Sequence, residues 1–445
     1  MAIAVIDIGK TNAKVALVDL SALAETGVRK MSNDVVTGGL YPHFAEERLW
    51  SFILDSLAEL GLEAPIDAIS ITTHGATAAL IGAQGQLALP ILDYEFTGPD
   101  DVAADYDKVR PDFDETGSPR LPIGLNLGAQ LFWQQRSFPD EFARVTAILP
   151  YPQYWGFRLT GVAVSEATSL GCHTDLWSPH RRSFSALVSR RGWTKLFPPI
   201  VKASSRLGPL LPEIAARTGL PNGTAVYAGI HDSNASLLPH LLAREAPFSV
   251  LSTGTWVIAL AIGAKPTRLD PDRDTLINVN ALGNAVPSSR FMGGRENAVL
   301  SEGLPEARAA DIDQALSTGL MYLPAAQQGS GPFPERIGRW SADGTPGERR
   351  AAVSFYLAMM AATCLELIGA QGPTIIEGPF AANIEFAKML RAATGRDIII
   401  EAAGTGTSIG AALLAGKASL KPAGQVVDDP GPQWRAYADS WRAAI

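Results

Sequence analysis

His74 and Glu95 flank the run "THGATAALIGAQGQLALPILDYEF" (Thr73–Phe96), where an imidazole follows a strand-like stretch and an acid closes an apolar one. Ordinary β-pairing needs neither. The expectation is a small polar ligand held between Glu95 and His74, with Gly75 leaving room beside the ring. A second acid, Asp232, follows His231 in "YAGIHDSNASL", just past the apolar strand "TAVYAG". An acid at a strand end after Gly and His suits a general base that takes a proton from a hydroxyl. It also suits the cap of a helix beginning near Asn234, and the two roles are compatible.

Two turns carry a different chemistry. "DIGKTNAK" (Asp7–Lys14) offers successive backbone N–H groups at Gly9, Thr11 and Asn12, small side chains, and the cations Lys10 and Lys14. "STGTW" (Ser252–Trp256) repeats the theme with Thr253, Gly254 and Thr255. Amide donors in a concave turn, hydroxyls and little bulk are what a polyphosphate needs. Asp7 enters the first turn, and a carboxylate beside phosphates calls for a cation between them. Asp7 is therefore a candidate for holding Mg²⁺ through water, against the alternative of a turn-forming Asp bonded to its own backbone.

Other patterns fail on inspection. "GTSIG" (Gly406–Gly410) matches a nucleophile elbow, but that arrangement needs a histidine after the serine and the last histidine is His240. The same stretch misplaces the third glycine of a dinucleotide fingerprint. "DPDRDT" (Asp270–Thr275) opens like a calcium loop, yet its sixth and twelfth positions are Thr275 and Ala281.

The elements that must position these residues read as α/β. "IAVIDIG" and "KVALVDL" alternate as two strands around a tight turn at Gly9–Asn12. "EERLWSFILDSLAELGL" has helical periodicity at Leu49, Ile53, Leu54, Leu57 and Leu60. Residues from about 100 to 220 read as mostly helical, including "YPQYWGFRLTG", which ends at Gly161. "FSVLSTGTWVIALAIG" is again strand, turn, strand, followed by the buried helix in "ERRAAVSFYLAMMAATCLELIG", the strand "TIIEG" and the helix "NIEFAKMLRAATG". A strand–polar turn–strand unit thus occurs at 3–18 and 248–262, which implies a duplicated α/β lobe with a ligand cleft between the copies. The expected domains are 1–240 and 241–445.

Composition fits an enzyme-like globular chain: 445 residues, 47% hydrophobic and 18% charged, with net charge −8. No basic run suits nucleic acid, so the expected partner is a small molecule. Cys172 and Cys364 can build neither a disulfide framework nor a zinc site and read as buried thiols in a reducing cytosol. Residues 1–18 lack a charged n-region and cleavage site, and no run of ~18 apolar residues suggests a membrane span. A cytoplasmic protein, monomeric or homodimeric, with no membrane partner, is expected.

Taken in order, these segments resemble the FGGY carbohydrate kinases of the actin-like ATPase superfamily. "DIGKTNAK" resembles the family's first phosphate hairpin, "THG…LPILDYE" its sugar segment, "GIHDSNAS" the segment of its catalytic aspartate, and "STGTW" its second phosphate hairpin. "EGPFAANIEFAKMLRAATGRDI" followed by "TSIGAALLAG" resembles the adenosine segment. The resemblance implies an α/β fold of two duplicated actin-like (ribonuclease H-like) lobes, with a sugar-binding N-terminal and a nucleotide-binding C-terminal half. It implies ATP and Mg²⁺ as cofactors and a sugar as substrate. Asp232 would be the base, Asp7 the magnesium-associated acid, and His74, Gly75, Glu95 and His231 sugar contacts. Gly9, Lys10, Thr11, Asn12, Lys14 and Thr253–Thr255 would face phosphates, with Gly378 and Pro379 near adenine. Three departures stand out: "DYEF" where Trp-x-Asp-x-Arg is common, so an arginine is missing; Gly-Pro for a glycine pair; and Lys10 where a small hydroxyl residue is commoner. "GTW", "HDS" and "INVNALG…FMGGREN" look most like the branch acting on rhamnulose and fuculose. The implied reaction is phosphorylation at C1 of a 6-deoxy-ketohexose, with a pentulose kinase or a non-catalytic sugar or nucleotide sensor as alternatives.

Overall fold

The computed structural model describes residues 1–401 and 406–445. The chain forms two compact units. The first contains Met1–Ala243, Ile277–Ala285 and a later segment that ends at Leu420. The second contains Arg244–Leu276, the stretch beginning at Val286, and Lys421–Ile445.

In the first unit, β-branched and small residues run through β1 (Ala2–Ile8) and β2 (Asn12–Asp19), whose interior positions are buried. Gly9 closes the turn, donating its N–H to Asn12 O at 2.9 Å. β3 (Ala24–Ser32) extends the hairpin. The helix α1 (Glu46–Glu63) buries the expected stripe of Leu49, Ile53, Leu54, Leu57 and Leu60. The chain then enters β4 (Ala68–Thr73), buried along its whole length and parallel to β1. Both β5 (Ala225–Tyr227) and β6 (Ile230–His231) pair in parallel with β4.

The register fixes the site. Asp7 lies opposite Thr72 and Thr72 opposite Ile230; Ile8 lies opposite Thr73 and Thr73 opposite His231. Three parallel strands therefore finish at one level, and the carboxyl ends of such strands are where open α/β sheets bind ligands. The helix α2 (Asp232–Ala243) starts there.

The stretch from 100 to 220 is less helical than its sequence suggests. Helices Leu127–Ser137 and Tyr151–Thr160 are present, the latter ending at Gly161 with φ of 73°. Between them Val145–Pro150 is a strand, paired antiparallel with Ala78–Gly82. A short apolar run does not reveal its own period, and here the free edge of a neighbouring strand decides it.

The second unit repeats the frame of the first. β7 (Phe248–Thr253) and β8 (Val257–Ile262) form an antiparallel hairpin, with β9 (Ala285–Phe291) beside β8. The helix α3 (Gly293–Ser301) follows β9. The helix α4 (Pro346–Leu367) leads to β10 (Thr374–Glu377), parallel to β7 as β4 is to β1. The helix α5 (Ile384–Thr394) precedes β11 (Ile398–Ile400), and α6 (Pro432–Ala443) ends the chain.

By length and composition α4 could cross a membrane, but 78% of its apolar window is buried inside the fold. It is the central core helix, with Phe355, Tyr356, Leu357, Met359 and Met360 inaccessible to solvent. Thr345 and Glu348 close a capping box at its start, with Pro346 at the first turn. The final helix is a core element. It drives Trp434, Tyr437 and Trp441 into the same core, and Trp441 Nε1 donates to Tyr322 O at 2.9 Å.

One late segment belongs to the first unit. The helix Thr407–Ala412 packs Ile409, Ala411 and Ala412 against Ile3, Val5, Val18 and Leu238. Ser70 Oγ donates to Ala411 O at 2.6 Å. A Cβ on Gly410 would sit 1.7 Å from Ala235 O, so only glycine allows the approach.

Candidate active site

His74 follows β4 directly, its N–H donating to Ile8 O at 2.9 Å. The ring is enclosed by Phe44, Tyr94 and Tyr151, with centroids 5.1, 5.3 and 5.1 Å away. Burial in this aromatic box lowers its pKa to about 4, so the imidazole is neutral near pH 7. Nδ1 lies 2.9 Å from Gly75 O, a pure acceptor, so Nδ1 carries the proton. Nε2 is left as a buried acceptor with no hydrogen-bond partner. A hydroxyl donor would complete it.

Gly75 is a spacer. A Cβ there would lie 2.8 Å from His231 Nε2. That nitrogen sits 3.2 Å from Asp232 Oδ1. Burial opposes a charge on His231, but Cys172 and Asp232 outweigh it and raise its pKa to about 9. A positive charge is therefore held beside the Asp232 carboxylate at neutral pH. Cys172 is buried, as its sequence context implied, and is drawn below the usual thiol range because His173 and His231 prevail over burial. Behind it, Glu166 accepts from Thr168 N at 2.9 Å and Thr168 Oγ1 at 2.5 Å, and the His231 N–H donates to that hydroxyl at 3.1 Å.

Asp232 is the first residue of α2, and its Oδ1 accepts from Ser233 N at 2.6 Å. About a third of the side chain is exposed (32%), so one face is open to a substrate. Asp7, two strands away, is less exposed. Burial pushes its pKa to about 6, Lys14 opposes the rise and Asp232 adds to it. Lys14 Nζ lies nearer to Glu25 (2.8 Å) than to Asp7 (3.5 Å), so the ion pair does not consume the Asp7 carboxylate. A cation approaching Asp7 through water fits that environment. Among the described residues, no cluster of three or more His, Cys, Asp or Glu could hold a metal by itself.

In the first hairpin turn, Asn33 Nδ2 donates to Gly9 O at 2.8 Å and Asn33 N donates to Thr11 O at 2.9 Å. These bonds occupy the carbonyls, while Thr11 and Asn12 stay exposed. Lys10 turns toward the Asp93–Glu95 segment. Its ammonium bonds Asp93 and lies 3.3 Å from Glu95 Oε2. Asp93 escapes the sequence reading because its apolar neighbours make it look like a strand-end turn; its one signal is the "DYE" spacing that places two acids two residues apart.

The second unit presents the second hairpin and a pocket. Gly254 N donates to Trp256 O at 3.0 Å across the turn. Thr253 Oγ1 donates to Glu377 O at 2.5 Å and accepts from Phe380 N at 3.0 Å, locking the turn to the Gly378–Pro379 loop. Gly378 has φ of +83°, and a Cβ there would lie 2.1 Å from Thr253 O. Gly294, within "FMGGREN", approaches the turn as closely: a Cβ there would lie 2.1 Å from Gly254 O, and its N–H donates to Thr255 O at 3.1 Å. Beside this frame is a cavity of about 310 Å³ with Pro379, Phe380, Asn383, Ser354, Arg350 and Asn297 in its wall. Asn383 Nδ2 donates to Ser354 Oγ at 3.0 Å.

Comparison with known proteins decides the kinship. Residues 2–239 match the N-terminal domain model of the FGGY family of carbohydrate kinases, and residues 245–423 match the FGGY C-terminal domain model. The chain belongs to the FGGY family. A solved carbohydrate kinase from Novosphingobium aromaticivorans is 39% identical, with 99% of this chain and 100% of that one covered and a TM-score of 0.92. Xylulose kinase from Lactobacillus acidophilus shares the two-domain FGGY fold at 14% identity, over 100% of this chain and 96% of that one, with a TM-score of 0.81. L-fuculokinase from Salmonella typhi is 27% identical over 58% of this chain and 56% of its own length. Rhamnulokinase from Enterococcus faecalis is 26% identical over 46% of this chain and 40% of its own. The chain thus aligns with only about half the length of these curated FGGY relatives.

Proposed function

We propose that this FGGY chain transfers the γ-phosphoryl group of ATP to a hydroxyl of a ketose, C1 of a 6-deoxy-ketohexose such as L-rhamnulose or L-fuculose being the preferred acceptor. One observation carries the reading: the Asp232 carboxylate, about a third exposed (32%), stands 3.2 Å from His231 Nε2 and within the same strand-end cluster as His74, whose Nε2 lacks a donor. A hydroxylated substrate seated there gives His74 its missing hydrogen bond and gives Asp232 a proton to take. As that proton moves to Asp232, the acceptor oxygen bonds the γ-phosphorus, the bond from phosphorus to the β–γ bridging oxygen breaks, and ADP leaves. Glu95 would accept from two sugar hydroxyls. Asp7 would hold Mg²⁺ through water, and the metal would offset charge on the transferring phosphoryl group. Apart from Gly9 and Gly254, whose N–H groups are spent within their own turns, the hairpin turns at Gly9–Asn12 and Thr253–Thr255 would offer N–H donors to the phosphates, and the pocket at Pro379 and Asn383 would take the adenine. Similarity to L-fuculokinases and a rhamnulokinase supports the deoxyketose.

Coupled ADP release with Mg-ATP against L-rhamnulose, L-fuculose, L- and D-ribulose, L- and D-xylulose and glycerol tests this. Turnover led by one deoxyketose is the expected result; a pentulose leader would keep the kinase and replace the sugar. Asp232→Asn retains the Oδ1 that caps Ser233 and should lower turnover by about 10²–10⁴-fold while nucleotide binding persists. A variant that keeps more than about a tenth of wild-type turnover would remove Asp232 from the role of base.

A further inference from the structure

Lys10 belongs to the first hairpin by sequence, but its side chain serves another segment. Its ammonium bonds Asp93 Oδ1, 83 positions along the chain, and stands 3.3 Å from Glu95 Oε2. It also lies 5.2 Å from the ring centroids of both Phe44 and Tyr94. Those two rings close the box around His74. The Lys10 and Asp93 side chains are 16% and 9% exposed, so their bond is shielded, whereas the Glu95 side chain is 60% exposed. Asp93 Oδ1 further accepts from Glu95 N at 3.2 Å, so the Lys10 bond holds the backbone that presents Glu95.

We propose that Lys10 is a positioning residue of the sugar site, and not a phosphate contact: its ammonium clamps Asp93, fixes the Asp93–Glu95 turn for hydroxyl recognition, and leaves that site fit for an uncharged polyol. The inference rests on the kinase reading for its sugar. The stretch from Asp93 to Phe96 has no cation of its own, and Lys10 on the hairpin supplies one. Lys10 faces two carboxylates, so the three groups sum to −1. A sugar carboxylate entering there would meet Glu95 with no spare cation from Lys10, and an aldonate is disfavoured relative to a ketose.

The test compares Lys10→Met, Lys10→Arg and the double variant Lys10→Met/Asp93→Asn, the last removing both buried charges if the single change misfolds. Ketose KM, ATP KM and kcat are measured separately, with a fluorescent ATP analogue titrated directly and D-gluconate offered as an anionic acceptor. A charged hydrogen bond lost from a shielded site should raise ketose KM about tenfold or more, with ATP KM and analogue affinity within about twofold of wild type and Lys10→Arg recovering part of the loss. A raised ATP KM or weakened analogue binding with ketose KM unchanged would overturn the proposal, as would wild-type turnover of gluconate equal to that of the best ketose. If wild type turns over no ketose, the kinase reading fails on its own. Analogue affinity then still decides whether Lys10 holds phosphate: unchanged affinity in Lys10→Met supports the proposal and lost affinity overturns it.

Discussion

Glu166 shows how much of the site's chemistry lies behind the residues that would touch a substrate. Burial raises its pKa from 4.5 to about 7, against the hydrogen bonds from Thr168. The folded chain therefore holds the Glu166 proton more tightly than the unfolded chain. Its contribution to stability is full below about pH 4.5 and is lost as pH rises through 7, up to about 3 kcal/mol. His74 acts with the opposite sign. Its pKa falls to about 4, so its contribution is full above 6.5 and is lost as pH drops toward 4. Glu166→Gln keeps an acceptor for Thr168 and cannot ionise. Thermal melts from pH 5 to 8 should show the variant gaining on wild type as pH rises; a constant gap would mean that Glu166 titrates as it does in the unfolded chain. The side chains that a sequence marks by an odd neighbour, His74 and Asp232, were legible. Asp93, Glu166 and Cys172 were not, because their roles come from partners far along the chain.

Among the elements, the hairpins were the most legible part of the fold, since alternation and a turn glycine are local signals. Their anchoring was not. Gly294 and Gly378 hold the second turn through contacts made 40 and more than 120 residues away from it, and neither position has a sequence signature of that duty. Gly378→Ala would force a Cβ onto Thr253 O at a φ of +83°. The expected cost is roughly 2 kcal/mol or more in unfolding free energy, with nucleotide affinity reduced and Asp232 chemistry intact when ATP saturates. Urea denaturation with direct nucleotide titration checks both halves. Affinity unchanged in a destabilised variant would separate this turn from the phosphates. The strand Val145–Pro150 makes the complementary point: a short, mostly apolar run takes β form paired against Ala78–Gly82.

For the molecule as a whole, the repeat was readable and the assignment of late segments was not. The second frame depends on α6, whose Trp441 is fully buried and bonded to Tyr322 O. Trp441→Ala should destabilise that unit by about 3–5 kcal/mol, visible as earlier proteolysis of its core helix α4 in limited digestion. Cleavage kinetics equal to wild type would show that α6 is dispensable to that core.

The helix Thr407–Ala412 has a consequence for how the chain is made. A ribosome delivers all of Met1–Ala243 before it reaches the residues that cover Ile3, Val5, Val18 and Leu238. During that interval the first sheet carries an uncovered greasy flank, and the nascent protein must wait for most of the second unit to be translated. A stop codon placed after Ala243 would release a product whose flank stays open, and such a product should be found in the insoluble pellet, whatever its remaining residues could do.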